Sequence, residues 1–353
     1  LISAVSYRRD FTPEIGLDRL SQVNIVASML FAGISGSSAA DVSSIGAMLI
    51  PAMVKEGYDS EFSVSITATS ACIGNIIPPS LFMVLLGAIT GVSVGGMFLG
   101  GFVPGIMIGL GLMVVSYFYC RNRGIPTKPR AGVKELVGAA KDAALAMVTP
   151  LIILGGIVFG VVTPTEAGVL AVVYSIILGL FIYKEMTARD LVDILSRSAQ
   201  STAVAVIVLA TASIFSWIMA RESLPVLMTG WIEKVAHTQL VAHLVIIALL
   251  LVIGMFMEAT SAAIIVIPFL YPIAMHFGID PVHFGVTATV ALIIGLVTPP
   301  VGMLLFLTCT IGKTTLKSTL RTLIPQVGVM VLVLVLTVLF PRLVLFLPGL
   351  VMR

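Results

Sequence analysis

The chain carries the same interrupted apolar segment twice, and the two copies align without a gap at an offset of 221 residues (Pro299 against Pro78). Gly254 falls on Gly33, Leu270 on Leu49, Pro272 on Pro51, Gly278 on Gly57, Asp280 on Asp59, Gly295 on Gly74, Pro299-Pro300 on Pro78-Pro79, Gly312 on Gly91 and Pro325 on Pro104. What recurs is mostly Gly and Pro, the residues that interrupt helices. Apolar segments broken at matching places in two halves point to a transporter whose site lies between the repeats near the bilayer midplane.

The setting is a membrane. With 58% hydrophobic residues, 10% charged residues and a mean hydropathy of +1.13, a chain of 353 residues cannot cover a soluble surface with polar groups. The net charge of +3 forms no continuous basic stripe, so no nucleic-acid partner is expected; the partner surface is the lipid bilayer. Cys72, Cys120 and Cys309 lie in or beside apolar runs without CxxC spacing and are expected to be packing residues. His237, His243, His276 and His283 lack the spacing of a metal helix and are expected at the membrane interface. Arg8, Arg9 and Asp10 interrupt the start before a signal-peptide core can form.

Spans of roughly 20 apolar residues trace an all-α polytopic path. Residues 24–54 are expected to form a re-entrant hairpin with its tip at Gly33–Ser38, and 62–92 a span unwound over Gly74–Ser80. Residues 97–120 cross back, and 128–143, with Lys128, Arg130, Lys134 and Lys141, fit an interfacial amphipathic helix. Spans at 144–163, 165–183 and 200–220 follow; then 239–275 repeats the hairpin, 283–312 the unwound span, and 325–347 is the last crossing. The organisation is thus an N-terminal segment 1–23, a first repeat 24–125, scaffold spans 126–237 and a second repeat 238–353. Helical spans precede the second repeat but not the first, so equivalent halves imply N-terminal helices beyond Leu1, or their replacement.

Charge gives the orientation. Placing Arg121–Lys141 in the cytoplasm also places Arg8, Arg9, Arg19, Lys55, Lys184, Arg189, Arg197, Lys313, Lys317 and Arg321 there; of 20 Lys and Arg only Arg221, Lys234, Arg342 and Arg353 fall outside. The two Pro-Pro spans then run in opposite directions, so the repeats are expected to be inverted.

The chemistry is expected at the four breaks, because backbone that leaves a helix at bilayer depth is tolerated only where it lines a cavity or binds a ligand. Carbonyls and hydroxyls suit a hard cation such as sodium, and half-helix N-termini beside Ser35, Ser37 and Ser38 suit a carboxylate. The carboxylates within the spans are Asp41, Glu166 and Glu258, each costing about 2.5–3.5 kcal/mol if it faced lipid. Asp41 and Glu258 follow the hairpin tips, where they could set the local field, pair structurally or ligate. Glu166 follows Thr163-Pro164-Thr165 and reads as a helix start, with Thr165 capping the N-terminus and Glu166 complementing the dipole.

The segments Phe31-Ala-Gly-Ile-Ser-Gly-Ser-Ser38, Gly74-Asn-Ile-Ile-Pro-Pro-Ser80, Gly87-Ala-Ile-Thr-Gly-Val-Ser93, Thr163-Pro-Thr-Glu-Ala-Gly168 and Gly295-Leu-Val-Thr-Pro-Pro-Val-Gly302 occur in that order. Together they resemble the large membrane subunit of tripartite ATP-independent periplasmic (TRAP) transporters, over nearly all of the chain after about residue 20. The resemblance implies a sodium-driven importer of organic acids working by an elevator motion in the bacterial inner membrane. Its partners would be a small membrane subunit and a periplasmic substrate-binding protein. No cofactor is implied beyond sodium as coupling ion, and no transition metal. One sodium site would lie between the first hairpin tip and the first break, with Gly33, Ser35, Gly74, Ile77 and Pro78. A second would join Met257 and Glu258 to Gly295, Thr298 and Val301. Substrate would meet Ser35, Ser37, Ser38, Asn75 and Thr260. Three positions depart from the family pattern: Asn75 in place of Pro, Ala291 in place of Asn and Glu258 in place of Asp.

Two other readings compete. Gly33-Ile34-Ser35-Gly36 matches the GxSG of intramembrane serine proteases, but a nucleophilic Ser needs a base in reach, and the break recurs at Met255–Glu258 without the Ser. A passive channel or structural subunit would also be apolar and helical, yet has no use for paired broken hairpins.

Overall fold

The computed structural model describes residues 20–123, 125, 133–222 and 224–352, and among them every regular element is helical. The first repeat opens with α1 (Leu20–Ser35), breaks at Gly36-Ser37, and returns through α2 (Ser38–Asp41), a π turn (Val42–Gly46) and α3 (Ala47–Lys55). Then α4 (Ser60–Ala71) tightens into a 3₁₀ turn (Cys72–Asn75), leaves helical structure, and resumes as α5 (Leu81–Thr90); α6 (Val94–Arg123) completes the repeat. The second repeat follows the same order. Its hairpin is α11 (Gln239–Phe256) and α12 (Ala259–His276), its broken span α13 (Pro281–Gly295) and α14 (Met303–Gly312), and its closing helix α15 (Leu316–Leu339). The Pro78-Pro79 and Pro299-Pro300 bonds are both cis.

Only the Pro-Pro pairs interrupt their helices. The other matched prolines, Pro51, Pro104, Pro272 and Pro325, sit inside α3, α6, α12 and α15 without a break. A single missing N–H in a membrane helix is absorbed by neighbouring helices and local adjustment; two consecutive prolines remove two donors and restrict the residue before them as well.

Between the repeats the path differs from expectation. There is no separate interfacial helix ahead of a span at 144–163: α7 (Val133–Val158) runs continuously through both, with Pro150 inside it, while Lys128 and Arg130 lie outside the described residues. Next comes α8 (Pro164–Ile177), ending in a π turn (Leu178–Ile182). Then α9 (Ala188–Arg221) begins 12 residues before the expected span (200 − 188), because its first three turns are polar and amphipathic. The short α10 (Leu224–Val235) was not legible as an element, and the last crossing is α15 rather than 325–347, stopping at Phe340-Pro341 before α16 (Arg342–Val351). Residues 1–19 and Arg353, which carry part of the charge count, lie outside the described residues.

Six helices among the described residues are long and apolar enough to cross a membrane, among them α6, α8 with its π turn, α9 and α15. Both arms of the second hairpin also qualify, each 18 residues or about 27 Å long, close to a hydrocarbon core of about 30 Å. The expected helix start is present, but its cap is Thr163 rather than Thr165, which lies inside the first turn: in a capping box the Thr163 amide donates to Glu166 Oε2 at 2.7 Å and the Glu166 amide to Thr163 Oγ1 at 3.3 Å.

The halves interleave. The last helix of the second repeat, α15, packs on α4 of the first, and α6 of the first packs on α13 of the second. Gln326 on α15 seals one crossing, accepting from Thr69 Oγ1 at 2.8 Å and donating to Ser65 Oγ at 2.9 Å. The three cysteines are free and buried, as expected of packing residues. Two histidines are not interfacial. His243 and His283 are buried edge to face, 4.7 Å between ring centres, with His243 Nε2 at 2.9 Å from Thr287 Oγ1 and His283 Nε2 at 2.8 Å from the Thr337 carbonyl. Those two hydrogen bonds satisfy imidazoles that span position alone assigned to the membrane surface.

Candidate functional site

The two repeats hold their hairpins by different means. In the first, α1 and α4 are joined by buried hydrogen bonds, Asn24 Nδ2 to Thr67 Oγ1 at 2.6 Å and Ser28 Oγ to Ser70 Oγ at 3.2 Å. The corresponding residues of the second repeat, Val245, Ala288, Leu249 and Ala291, are apolar. There the contact is backbone on backbone: a Cβ on Gly295 would overlap Gly254, and one on Gly254 would lie 2.7 Å from the Leu292 carbonyl oxygen. In the first repeat the equivalent glycines are not in such contact; Gly33 faces Pro150 of α7 and Gly74 faces the Ser37-Ser38 backbone. Small residues and polar side chains are the two means by which helices associate in lipid, and each repeat uses one of them.

The first hairpin tip is docked onto the first break. Gly36 has φ +59°, and a Cβ there would lie 2.8 Å from the Pro79 carbonyl oxygen; the Leu81 amide donates to the Gly36 carbonyl at 3.3 Å. A left-handed backbone with no room for a side chain requires glycine. Asn75 fastens the same junction, its Oδ1 accepting from the Ser38 amide at 2.8 Å, while Ser80 donates to the Asn75 carbonyl at 2.6 Å and caps α5 through the Met83 amide. The second tip meets the second break through the Gly302 amide, 3.4 Å from the Met255 carbonyl.

Both tips end in N-caps, and the caps are repeat-equivalent. Ser37 accepts from the Ala40 amide at the start of α2, and Glu258, its counterpart, accepts from the Ser261 amide at 2.9 Å at the start of α12. Thr260 Oγ1 donates to the other Glu258 oxygen at 2.9 Å. One tip is therefore capped by a neutral hydroxyl and the other by a carboxylate.

These tips and both breaks surround one cavity of about 340 Å3. Its polar wall holds Ser37, Ser38, Asn75, Glu258, Thr260 and Thr310. The apolar wall comes chiefly from the helix starts after the two breaks: Leu81, Phe82 and Leu85 on one side, Leu304, Phe306 and Leu307 on the other. Of the residues expected to meet substrate, the fold brings together Ser37, Ser38, Asn75 and Thr260; Ser35 is turned aside, its hydroxyl 3.4 Å from the Ser37 carbonyl and amide. Ser38 is 2% exposed and its hydroxyl has no hydrogen-bond partner. A buried hydroxyl left unpaired at a cavity wall costs free energy until a ligand fills the bond.

The expected cation ligands are more dispersed. Ile77 packs against Gly105 of α6, Pro78 is buried in the cis pair, and Gly33 does not reach Gly74. In the second repeat Thr298 Oγ1 donates to the Ile294 carbonyl at 2.7 Å, which leaves its lone pairs free, and among the described residues no loop amide donates to the Thr298 carbonyl. Met257 closes α11 by its amide, and Val301 is half exposed beside Gly302. Asp41 does not line the cavity; it is buried beside Ser28 with neither oxygen in a hydrogen bond of good geometry. The apolar lining was missed by sequence reasoning, although residues three and four apart directly after each Pro-Pro pair mark one face of a helix.

An all-helical membrane chain that gathers four helix breaks around one cavity has the architecture of a broken-helix permease. The chain belongs to the TRAP large-permease family: residues 18–343 match the family described as tripartite ATP-independent periplasmic transporter, DctM component. It is 39% identical over 331 residues to the sialic acid TRAP transporter large permease protein SiaM of Vibrio cholerae, covering 94% of this chain and 78% of that protein. Identity is 37% over 325 residues to the C4-dicarboxylate TRAP transporter large permease protein DctM of Pseudomonas aeruginosa, covering 92% of this chain and 76% of that one. It is 38% over 331 residues to the isethionate TRAP transporter permease protein DctMQ of Oleidesulfovibrio alaskensis, covering 94% of this chain and 52% of that one. The family is a transporter permease and not an enzyme, which overturns the serine-protease reading of Gly33–Gly36.

Proposed function

We propose that the chain is the transporting subunit of a sodium-coupled importer of an organic acid, working in the bacterial inner membrane with a small membrane subunit and a periplasmic binding protein. The observation that carries this reading is the convergence of both hairpin tips and both broken spans on one cavity. Relatives named for sialic acid, C4-dicarboxylate and isethionate transport support an acid as cargo. The halves run in opposite directions through the membrane, as the charge count favours, and alternate access by an elevator movement of the hairpins and broken spans.

Sodium is held at two sites, one per repeat. The first draws on Gly33, Ser35, Gly74, Ile77 and Pro78, the second on Met257, Glu258, Gly295, Thr298 and Val301. Carbonyls released by a break and hydroxyl lone pairs are hard oxygen ligands suited to sodium. The substrate carboxylate meets Ser37, Ser38 and Asn75, with Thr260 lining the same cavity. Proteoliposomes holding the chain with its native small subunit and binding protein should accumulate an organic acid only when a sodium gradient points inward. Accumulation without sodium, or equilibration without accumulation, would refute the reading, the latter in favour of a passive channel.

A further inference from the structure

Asp41 is the last residue of α2 and is 1% exposed, yet neither of its carboxyl oxygens has a hydrogen-bond partner. The polar network beside it sends its hydrogens the other way. Ser28, which stands against Asp41, donates to Ser70 Oγ at 3.2 Å, and Ser70 donates to the Thr67 carbonyl at 3.2 Å. One turn earlier on α1, Asn24 Nδ2 donates to Thr67 Oγ1 at 2.6 Å, and Thr67 donates to the Ser63 carbonyl at 2.7 Å. The elements packed most closely on α2 are α1, α4, α14 and the π and 3₁₀ turns, whose titratable side chains are Glu61, Cys72 and Cys309. None is a cation, and among the described residues no basic side chain pairs with Asp41. The fold does not require this carboxyl. The second repeat builds the same place from Val245, Leu249, Ala262, Ala291 and Ile293, with Ala262 fully buried and α12 running on without a π turn. In the first repeat a π turn begins directly after Asp41, and such turns are frequent at functional sites.

Resting on the alternating-access reading above, we propose that Asp41 is a proton-binding site that ties proton occupancy to the seating of the first hairpin tip. The carboxyl holds a proton while the tip is docked on its break and gives it to water when the tip lifts. A bare carboxylate buried without a cation is costly, and a proton removes the charge while needing no cavity. A metal ion such as sodium takes several oxygens, whereas the side chains beside Asp41 are one hydroxyl, Ser28, and the thiol of Cys72. Ser38, one turn before Asp41 on the same face of α2, lines the cavity with its hydroxyl unpartnered. Because α2 is four residues long and is held by the Ser38–Asn75 and Leu81–Gly36 bonds, lifting the tip carries Asp41 with it. The docked form then binds one proton more than the lifted form, so docking weakens as pH rises, by up to tenfold per pH unit.

Cys72 supplies the readout, because it is 0% exposed beside Asp41 and a thiol reagent reaches it only when the tip lifts. The purified chain in lipid nanodiscs is treated with methyl methanethiosulfonate, and modification of each cysteine is followed by peptide mass. Protection is the rate for the denatured chain divided by the rate for the folded chain at the same pH, which cancels thiol ionisation. At fixed sodium, protection of Cys72 should fall at least tenfold between pH 5 and pH 8. It should stay within threefold in Asp41→Asn and in Asp41→Ala, the latter matching Ala262 of the second repeat, while Cys120 of α6 stays within threefold in every form. The infrared difference between wild type and Asp41→Asn at pH 5 should contain the C=O stretch of a protonated carboxyl. The proposal is overturned if that band is absent, if Cys72 is never modified, or if its protection is level with pH in the wild type. An equal fall in both variants, or protection that follows sodium and not pH when choline replaces it, also overturns the proposal. Each of these results leaves the importer reading to its own test, accumulation under a sodium gradient.

Discussion

Cys72 and Ile293 are the same position of the two repeats, 221 residues apart, and they touch: the Cys72 thiol lies 3.6 Å from the Ile293 carbonyl. A residue meets its own counterpart only beside an axis that relates the halves. The contact falls immediately ahead of both breaks, at Gly74 and Gly295, so the breaks are brought together where the halves adjoin. This is the placement that two oppositely directed repeats would produce, and it puts the cavity between them.

Opposite orientation predicts the labelling of introduced cysteines. Ones near Lys55 and Lys313 should react with an impermeant reagent only from the cytoplasmic side, and ones near Arg221 and His276 only from the outside. Reaction of the Lys55 and His276 positions from one side would end the inverted arrangement.

The backbone contact between Gly254 and Gly295 predicts unequal tolerance of the paired glycines. Gly295→Ala forces a methyl into backbone and should destabilise by about 1–3 kcal/mol, seen as a lower melting temperature of the purified protein. Gly74→Ala, whose Cβ would lie 3.7 Å from its nearest neighbours, should melt close to the wild type. Equal losses would show that the two halves are held alike.

Thr298 tests the second sodium site. Thr298→Val removes the hydroxyl lone pairs along with the 2.7 Å bond to Ile294, and Pro299→Ala lets the helix close over the free carbonyl. Both should raise the sodium concentration for half-maximal uptake, whereas Ser37→Ala should weaken substrate uptake more than sodium dependence. Unchanged sodium half-saturation in both Thr298→Val and Pro299→Ala, with uptake normalised to protein level, removes this site.

Charge balance gives a further measurement. A monoanion imported with two sodium ions carries one net positive charge inward, so an inside-negative potential of about 100 mV adds about 2.3 kcal/mol, roughly 50-fold in limiting accumulation. A dianion with two sodium ions would gain nothing from the potential and would be driven by the sodium gradient alone. Accumulation ratios in proteoliposomes at zero and at imposed potassium-valinomycin potential distinguish the cases.

Much of this protein was legible because glycine and proline act locally. The 221-residue offset, both Pro-Pro breaks, both hairpins and the helix start beside Glu166 follow from backbone freedom and lost donors over a few residues, and the structure has each where the sequence places it, with the cap moved from Thr165 to Thr163. Composition likewise fixed the membrane setting. Tertiary packing decided the rest. Whether a lone proline interrupts a helix depends on its neighbours, so Pro104 and Pro325 lie within unbroken helices. His243 and His283 became interior residues because Thr287 and the Thr337 carbonyl stand within reach. Above all, Ser37 and Glu258 are far apart in the chain and alike in their local role as caps; only the convergence of the breaks places them on one cavity, where their difference in charge gives the site its polarity.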